Sequence, residues 1–269
     1  MTNYSVGQIK PEQHSKLYWI FKDSATLIQR SLKHIFKNPD QLIGLIVQPI
    51  MFMLLFRYVF GGAIQTGVSY VNFLMAGILV QMLAFGSLTT SISVAIDLQR
   101  GIVDRLKSLP IFSLGVVVGH IVADLVRNVL QSMIMIGVGL LVGFRPEASF
   151  TDWLLIAGIA LLFTFTMSWV AAVMAMLAKT FESVQWIGFI IIFPLTFASA
   201  AFAPTETMAR GLKEFAINQP VTHVIEAIRA LMIGQDMGNH GLIAVIWCIG
   251  IILICIPYTT YLFRKHAGR

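Results

Sequence analysis

Six stretches of the chain are long enough and apolar enough to cross a lipid bilayer as helices. A helix needs about 20 mostly apolar residues to cross the hydrocarbon core, which is about 30 Å thick. Because no water reaches that core, the backbone must satisfy its own hydrogen bonds there, and a helix does so without a partner strand. The sequence therefore predicts an all-α polytopic membrane protein with six transmembrane helices. The six stretches are residues 41–60, 70–96, 114–144, 152–178, 184–203 and 241–263.

The composition excludes a soluble domain. Hydrophobic residues make up 57% of the 269 residues and charged residues only 12%, whereas about 25% of a typical soluble domain is charged. We expect the formal net charge of +6 to reflect loops that face anionic membrane lipids rather than a nucleic-acid partner. The two cysteines, Cys248 and Cys255, fall within one apolar stretch, so no disulfide is expected.

The distribution of lysine and arginine predicts the orientation of the chain. Most of those outside the apolar stretches lie in the N-terminal 40 residues, between the second and third stretches, and at the C-terminus. An even number of spans places these three regions on the same side of the membrane. The positive-inside rule makes that side the cytoplasm. We therefore expect a multi-pass protein of the cell membrane, plasma or inner, with both termini cytoplasmic.

The chain is predicted to divide into a cytoplasmic tail, residues 1–40, and a membrane domain, residues 41–269. In the tail, apolar residues recur between lysines and an arginine from residue 17 to residue 36. This pattern is typical of an amphipathic helix that lies in the membrane interface, and a solvated helix is the alternative. The tail has no continuous apolar run, so no secretory signal peptide is expected. Pro39 suits the first position of the first membrane helix.

A charged segment, residues 100–110, separates the second and third apolar stretches. Apolar residues recur there at helical spacing, charged residues occupy the other face, and Pro110 ends the pattern. Two helical turns are not stable alone in water, so we expect a cytoplasmic helix that packs against lipid headgroups, neighbouring spans or another protein. The residues of interest are Arg100, Ile102, Val103, Asp104, Arg105, Leu106, Lys107 and Leu109.

Residues 204–240 contain two amphipathic pieces that are each too short to span the membrane. The sequence Asn-Gln-Pro, which ends at Pro220, bars one continuous helix. In the second piece, Glu226 and Arg229 lie one turn apart, opposite an apolar face that needs burial. That face consists of Val221, Val224, Ile225, Ile228, Leu231 and Met232.

Polar side chains within the apolar stretches are further candidates. His120, Asp124 and Arg127 share one face of the third stretch, which is longer than the hydrocarbon is thick. We favour an ion pair between Asp124 and Arg127 near the cytoplasmic headgroups over a role in gating or substrate access. For the hydroxyl side chains we favour close helix packing over the lining of a polar path. These are Ser87, Thr90, Thr196 and Ser199.

The motifs of metal and hydrolytic sites are incomplete. His223 and Glu226 lie one helical turn apart, but no third ligand and no His-Glu-x-x-His motif accompanies them. A hydrogen-bonding role is favoured for this pair, and no metal site is predicted. Ser87 lacks the Gly-x-Ser-x-Gly frame of a serine hydrolase, so an intramembrane lipid-processing enzyme is a weak alternative.

With these features the chain resembles the permease subunits of type 2 ABC exporters, and among them the daunorubicin-resistance type of drug exporter. Three stretches carry the resemblance: the amphipathic segment before the first span, DLQRGIVDRLKSLPI at residues 97–111, and FAPTETMARGLKEFAINQPVTHVIEAIRALMIG at residues 202–234. Together with the spacing of the six spans, they cover nearly the whole chain.

The resemblance implies that partners supply the energy and complete the pathway. It implies that residues 100–110 are a coupling helix that docks on a separate ABC ATPase subunit, present in two copies. A second permease copy, identical or a sister chain, would complete the pathway, which the first, second and fifth spans border. No cofactor is expected in this chain, because it lacks the Gly-x-x-x-x-Gly-Lys-Ser/Thr loop that cradles phosphates. ATP and magnesium would bind to the partner ATPase.

The resemblance also implies that residues 204–240 form an external re-entrant helical hairpin that dips into the outer leaflet and closes the exit. A helix that lies flat on the outer surface, without a part in transport, is the alternative. The residues assigned to this gate are Pro204, Pro220, Val224, Glu226, Ile228 and Arg229.

The sequence thus predicts the membrane-spanning subunit of an ATP-driven exporter, without enzymatic activity of its own. The expected cargo is a hydrophobic or amphipathic drug, a lipid or a lipid-linked molecule, because the spans are too apolar for a hydrophilic ion pore. A membrane anchor that only recruits a cytoplasmic partner is the alternative from another class of protein.

Overall fold

The computed structural model describes residue 29 and residues 39–61, 69–99, 115–178 and 180–267. Within these ranges the chain is helical, and no strand occurs. The helices are α1 (Pro39–Leu55), α2 (Tyr70–Gln99), α3 (Gly115–Val142), α4 (Phe150–Leu177), α5 (Phe181–Phe197), α6 (Arg210–Asn218), α7 (Pro220–Met232) and α8 (His240–Ala267), with a π-helical turn at Phe56–Phe60 and a 3-10 turn at Thr205–Thr207.

Four of these helices, α2, α3, α4 and α8, are long and apolar enough to cross a membrane. α1 and α5 are shorter, at 17 residues each. The π-helical turn extends α1, so that helical backbone is continuous from residue 39 to residue 60, about 33 Å at 1.5 Å per residue. The expected all-helical class is confirmed, and each of the six apolar stretches contains an apolar helix. The predicted stretch 184–203 is too long, because α5 ends at Phe197, where Ala198 leaves the helical conformation.

Local chemistry sets the helix boundaries. α1 begins at Pro39, as predicted. Ser149 and Asp152 form a capping box at the start of α4, and Thr180 caps α5 through its hydroxyl. α7 begins at Pro220, which separates it from α6 as the sequence predicted.

α2 is the central helix of the bundle. It is largely buried and contacts α3, α4, α5 and α7. Gly77 allows one of these approaches, because a Cβ atom at this position would overlap the carbonyl oxygen of Ala201. The outer helices instead expose large apolar side chains, among them Trp186 and Ile190 on α5 and Leu253 on α8. Such outward apolar faces are expected of helices whose solvent is lipid.

Candidate functional site

The segment between α5 and α8, called the hairpin below, contains the two short helices α6 and α7. The 3-10 turn follows Pro204, and Gln219 then separates α6 from α7. α7 packs against α2, α4 and α8, and the six residues of its predicted apolar face are each at most 5% exposed. Protein rather than lipid covers this face.

Arg229 is buried, whereas Glu226, one helical turn away, is partly exposed. The Arg229 side chain donates from Nε to the Phe73 carbonyl at 3.1 Å and from Nη2 to the Ala200 carbonyl at 2.5 Å. Nη1 donates to Oε1 of Glu226 at 2.6 Å, and the guanidinium lies 3.7 Å from the centre of the Phe73 ring. A guanidinium can be buried when its donors find acceptors, and here backbone carbonyls from two other segments supply them.

The charge of Arg229 persists despite its burial. Burial lowers the pKa of Arg229, and the adjacent Glu226 carboxylate opposes that shift through its charge and its hydrogen bond. Because the pKa of arginine starts far above neutrality, the side chain stays protonated at pH 7. The cation therefore remains available to hold three segments together: α7, the start of α2 and the turn after α5.

Further hydrogen bonds tie that turn to α7. The hydroxyl oxygen of Thr222 accepts from the backbone N–H of Ala200 at 3.3 Å, and Nε2 of Gln219 donates to the carbonyl of Ala198 at 2.5 Å. Thr196 and Ser199 are buried and donate to backbone carbonyls of their own segment.

A cavity of about 660 Å³ lies beside α7, between the start of α2, the 3-10 turn and the start of α8. Its walls carry Glu206, Glu226 and Arg229. At its edge, Nδ1 of His223 lies 3.0 Å from Nδ1 of His240, the first residue of α8. At least one of the two rings must be neutral, because a hydrogen bond between two ring nitrogens needs one acceptor.

A second polar cluster lies between α2, α3 and α4. The Asp124 carboxylate accepts hydrogen bonds from Arg127, from Nδ2 of Asn128 at 3.1 Å and from Oγ of Ser168 at 2.5 Å. Arg127 also donates to the carbonyl of Gly86 at 2.6 Å. The ion pair exists, as the sequence predicted, and it is buried within the protein: Asp124 is 1% exposed and Arg127 is 5% exposed. Ser168 and Gly86, on other helices, supply the partners that permit this burial.

His120 also belongs to the contact between α2 and α3. Its Nε2 lies 2.9 Å from Oδ2 of Asp97, in the last turn of α2. Asp97 was not predicted as a partner of His120, although a carboxylate at the end of an apolar stretch indicates that it pairs with a polar or basic side chain. The signal for Ser168 was weaker, since a lone hydroxyl in an apolar helix usually bonds to its own backbone.

Ser87 and Thr90 are buried within α2. The Ser87 hydroxyl donates to the carbonyl of Ala84, in its own helix, at 2.7 Å. Neither side chain lines the cavity beside α7. The predicted coupling helix, residues 100–110, lies outside the described residues, and so does the greater part of the predicted interfacial helix, residues 17–36.

The chain is similar to known transport permeases over most of its length. It is 29% identical over 251 residues to the daunorubicin resistance ABC transporter permease protein DrrB1 of Streptomyces coeruleorubidus, covering 90% of this chain and 88% of that protein. It is 28% identical over 227 residues to the probable doxorubicin resistance ABC transporter permease protein DrrC of Mycobacterium tuberculosis, covering 80% and 78%. It is 26% identical over 241 residues to the putative transport permease ycf38 of Porphyra purpurea, covering 86% and 81%.

A family model described as ABC-2 type transporter matches residues 24–233. The matched region includes both the polar cluster around Asp124 and the hairpin helix α7. The chain therefore belongs to the ABC-2 type transporter family, and membership of that family implies a multi-pass membrane permease with an ABC ATPase partner.

Proposed function

We propose that this chain is the membrane-spanning subunit of an ATP-driven exporter that moves a hydrophobic or amphipathic molecule, a drug in the first instance, out of the cell. The position of α7 carries the proposal. This helix has 13 residues, too few to cross the bilayer, yet the long apolar helices α2, α4 and α8 enclose it. A short helix packed in this way supports the proposal that α7 closes one end of a pathway.

In this proposal the chain lies in the cell membrane with both termini in the cytoplasm. The six spans are α1, α2, α3, α4, α5 and α8. α2 has 30 residues, about 45 Å at 1.5 Å per residue, which exceeds the thickness of the hydrocarbon core. Its C-terminal end then projects into the cytoplasm and presents residues 100–110 to the ATPase. α6 and α7 lie at the opposite, external side.

The proposal assigns energy coupling to residues 100–110 and closure to α7. Two ATPase subunits would dock on two permease chains, identical or sister copies, and ATP and magnesium would bind only to the ATPases. Because Arg229 is bonded to backbone carbonyls of α2 and of the turn after α5, α7 moves outward only when those bonds are replaced. The ATPase cycle would supply that free energy.

Transport in proteoliposomes tests this function. The chain is reconstituted with its ATPase in vesicles that expose the cytoplasmic side, and uptake of a panel of hydrophobic drugs and fluorescent lipids is followed with and without ATP. We expect ATP-dependent uptake that fails in Leu106→Asp, because that substitution places a charge on the apolar face of the coupling segment. Arg105→Ala, at the polar rim of the same segment, is the matched control and should be milder.

A membrane anchor would give a different result. ATPase recruitment without uptake of any member of the panel would overturn the export proposal and favour an anchor that only binds its cytoplasmic partner.

A further inference from the structure

Two arginines lie at the turn that ends α3. Arg57 belongs to the π-helical turn that extends α1, and Arg145 follows α3 along the chain. A Cβ atom added to Gly143 would lie 3.2 Å from Nη1 of Arg57, so the Arg57 guanidinium lies against this glycine. Nη1 of Arg145 donates to the carbonyls of Leu140 and Phe144, each at 3.0 Å. Both guanidinium groups are therefore at the same end of α3.

The backbone around Arg145 is fixed. Nδ2 of Asn72, on α2, donates to the Arg145 carbonyl at 3.1 Å, and Oδ1 of Asn72 accepts from the Arg145 N–H at 3.0 Å. Gly143 has a φ of 106°, a conformation that favours glycine. Its lack of a side chain leaves the room that the Arg57 guanidinium occupies. The two arginines are thus held at one place by α1, α2 and the turn after α3.

Neither arginine has an anionic partner in the part of the chain that the structure describes. The ion pairs found there join other side chains, and no described residue accepts a hydrogen bond from the Arg57 guanidinium. Arg145 uses Nη1 for its two carbonyls, which leaves Nε and Nη2 for a ligand. Two cations at one turn favour a shared anion, because like charges repel and a common counterion offsets that repulsion.

The surrounding side chains place this arginine pair at the edge of the hydrocarbon. Tyr58, whose ring centre is 5.4 Å from the Arg57 guanidinium carbon, is 74% exposed, and Leu141 is 88% exposed. Exposed tyrosine is typical of the membrane interface, and exposed leucine of a surface that contacts lipid. An arginine at the end of a membrane helix reaches the level of the lipid headgroups. The anion at that level is the phosphate of a phospholipid.

We propose that Arg57 and Arg145 together bind the phosphate of a phospholipid headgroup, in the leaflet that the proposed topology makes external. Guanidinium groups suit this ligand because each can donate two parallel hydrogen bonds to phosphate oxygens. The acyl chains of the lipid then extend along the exposed apolar side chains near the ends of α1 and α3. This lipid is a bound ligand and not the cargo, so the site does not depend on the proposed export function.

Native mass spectrometry of the full-length chain in detergent tests the proposal. The chain is titrated with dioleoylphosphatidylglycerol or with dioleoylglycerol, which has the same acyl chains and no phosphate. We expect Arg57→Gln to weaken the binding of one phosphatidylglycerol per chain about tenfold or more, as expected for the loss of charge-assisted hydrogen bonds. Dioleoylglycerol binding should not change. Arg57→Lys should restore part of the affinity, because lysine keeps the charge without the fork of donors.

Three further variants locate the site. Arg210→Gln is the matched control, since the Arg210 side chain on α6 is 96% exposed, and it should leave lipid binding unchanged. Arg145→Gln should weaken the same phosphatidylglycerol as Arg57→Gln. The double variant, Arg57→Gln with Arg145→Gln, should lose one lipid per chain and not two, because both arginines bind the same phosphate. Arg57→Gln should fold, because it removes no hydrogen bond to a described residue.

Each result decides a separate point. Phosphatidylglycerol binding that is unchanged in Arg57→Gln, or lowered equally in Arg210→Gln, would overturn the site. Loss of two lipids in the double variant would overturn the sharing of one phosphate. Dioleoylglycerol binding as tight as that of phosphatidylglycerol would show apolar contact alone. Millimolar inorganic phosphate should not displace the lipid, and displacement would assign the site to a free anion instead.

Discussion

The guanidinium of Arg229 lies 3.7 Å from the centre of the Phe73 ring, and its Nε donates to the Phe73 carbonyl at 3.1 Å. One side chain of α7 thus contacts both the ring and the backbone of α2. Because α2 is the central helix of the bundle, this contact fixes the hairpin relative to the rest of the membrane domain. Movement of the hairpin must therefore involve Arg229.

Arg229→Met should destabilise the protein by about 3 kcal/mol or more, because it leaves the Phe73 and Ala200 carbonyls without their donor and Glu226 without its cation. Chemical denaturation in detergent micelles measures this loss. The control is Arg210→Met: the Arg210 side chain is 96% exposed and lies 3.8 Å from Glu214, so its removal should cost no more than about 0.5 kcal/mol. Equal effects of the two substitutions would contradict an anchoring role for Arg229.

Asp124→Asn and Arg127→Met should each cost about 3–5 kcal/mol, because each leaves a buried charge without its partner. The double variant should lose clearly less than the two losses combined, since it leaves neither charge behind. Denaturation of the four proteins in a double-mutant cycle measures this coupling. The control is Asp236→Asn, at an exposed position, which should be near neutral. Strictly additive losses in the cycle would show that Asp124 and Arg127 do not form the buried pair.

Gly77→Ala should lower the thermal midpoint markedly, because the added methyl group would meet the carbonyl of Ala201 and force α2 away from the turn after α5. Gly158→Ala is the matched control on α4, where nothing lies within 4 Å of the added carbon. That substitution should be neutral or stabilising by up to about 1 kcal/mol, as expected for alanine in an open helix position. A thermal midpoint unchanged by Gly77→Ala would refute the close approach.

The docking of α7 should weaken at mildly acidic pH. Burial lowers the pKa of His223, the neighbouring His240 lowers it further, and Glu226 opposes the shift. The pKa of His223 in the folded protein lies below its ordinary value of 6.5. Neutral His223 therefore contributes its full stabilisation of the docked α7 above pH 6.5, and this stabilisation is lost as the pH falls from 6.5 toward the folded pKa. Amide hydrogen exchange of α7, corrected for intrinsic rates, should increase between about pH 7.5 and about pH 5.5.

His223→Gln should reduce this pH dependence, since glutamine does not titrate. A pH response of α7 that is the same in the variant and in the wild type would assign the effect to other groups.

The positions of the apolar helices could be predicted from the sequence because hydrocarbon imposes a length and a polarity on any helix that crosses it. Pro220 likewise located the break between α6 and α7, since proline has no backbone N–H to donate. These features depend on residues close together in the chain. Sequence spacing is therefore sufficient to find them.

The partners of the buried charges could not be predicted in the same way. Arg229 bonds to carbonyls 156 and 29 residues away, and every residue carries such a carbonyl. Ser168 lies 44 residues from Asp124, on a helix whose packing the sequence does not specify. Spacing placed Arg229 beside Glu226 and Arg127 beside Asp124, but the degree of burial depended on these distant acceptors and donors. The coupling role of residues 100–110 stays a prediction.

Transport with a tethered hairpin tests the central claim, that α7 closes the external end of an ATP-driven pathway. His223→Cys and His240→Cys are introduced together with Cys248→Ser and Cys255→Ser. A short bis-methanethiosulfonate cross-linker, which releases a sulfinate at each end, then joins α7 to α8 through two reducible disulfides. Arg210→Cys with Glu214→Cys, joined within α6 by the same reagent, is the control. We predict that ATP-driven uptake falls to the ATP-free level in the tethered protein, returns on reduction and persists in the control. Uptake at the untethered rate, with mass spectrometry showing complete cross-linking, would contradict the account.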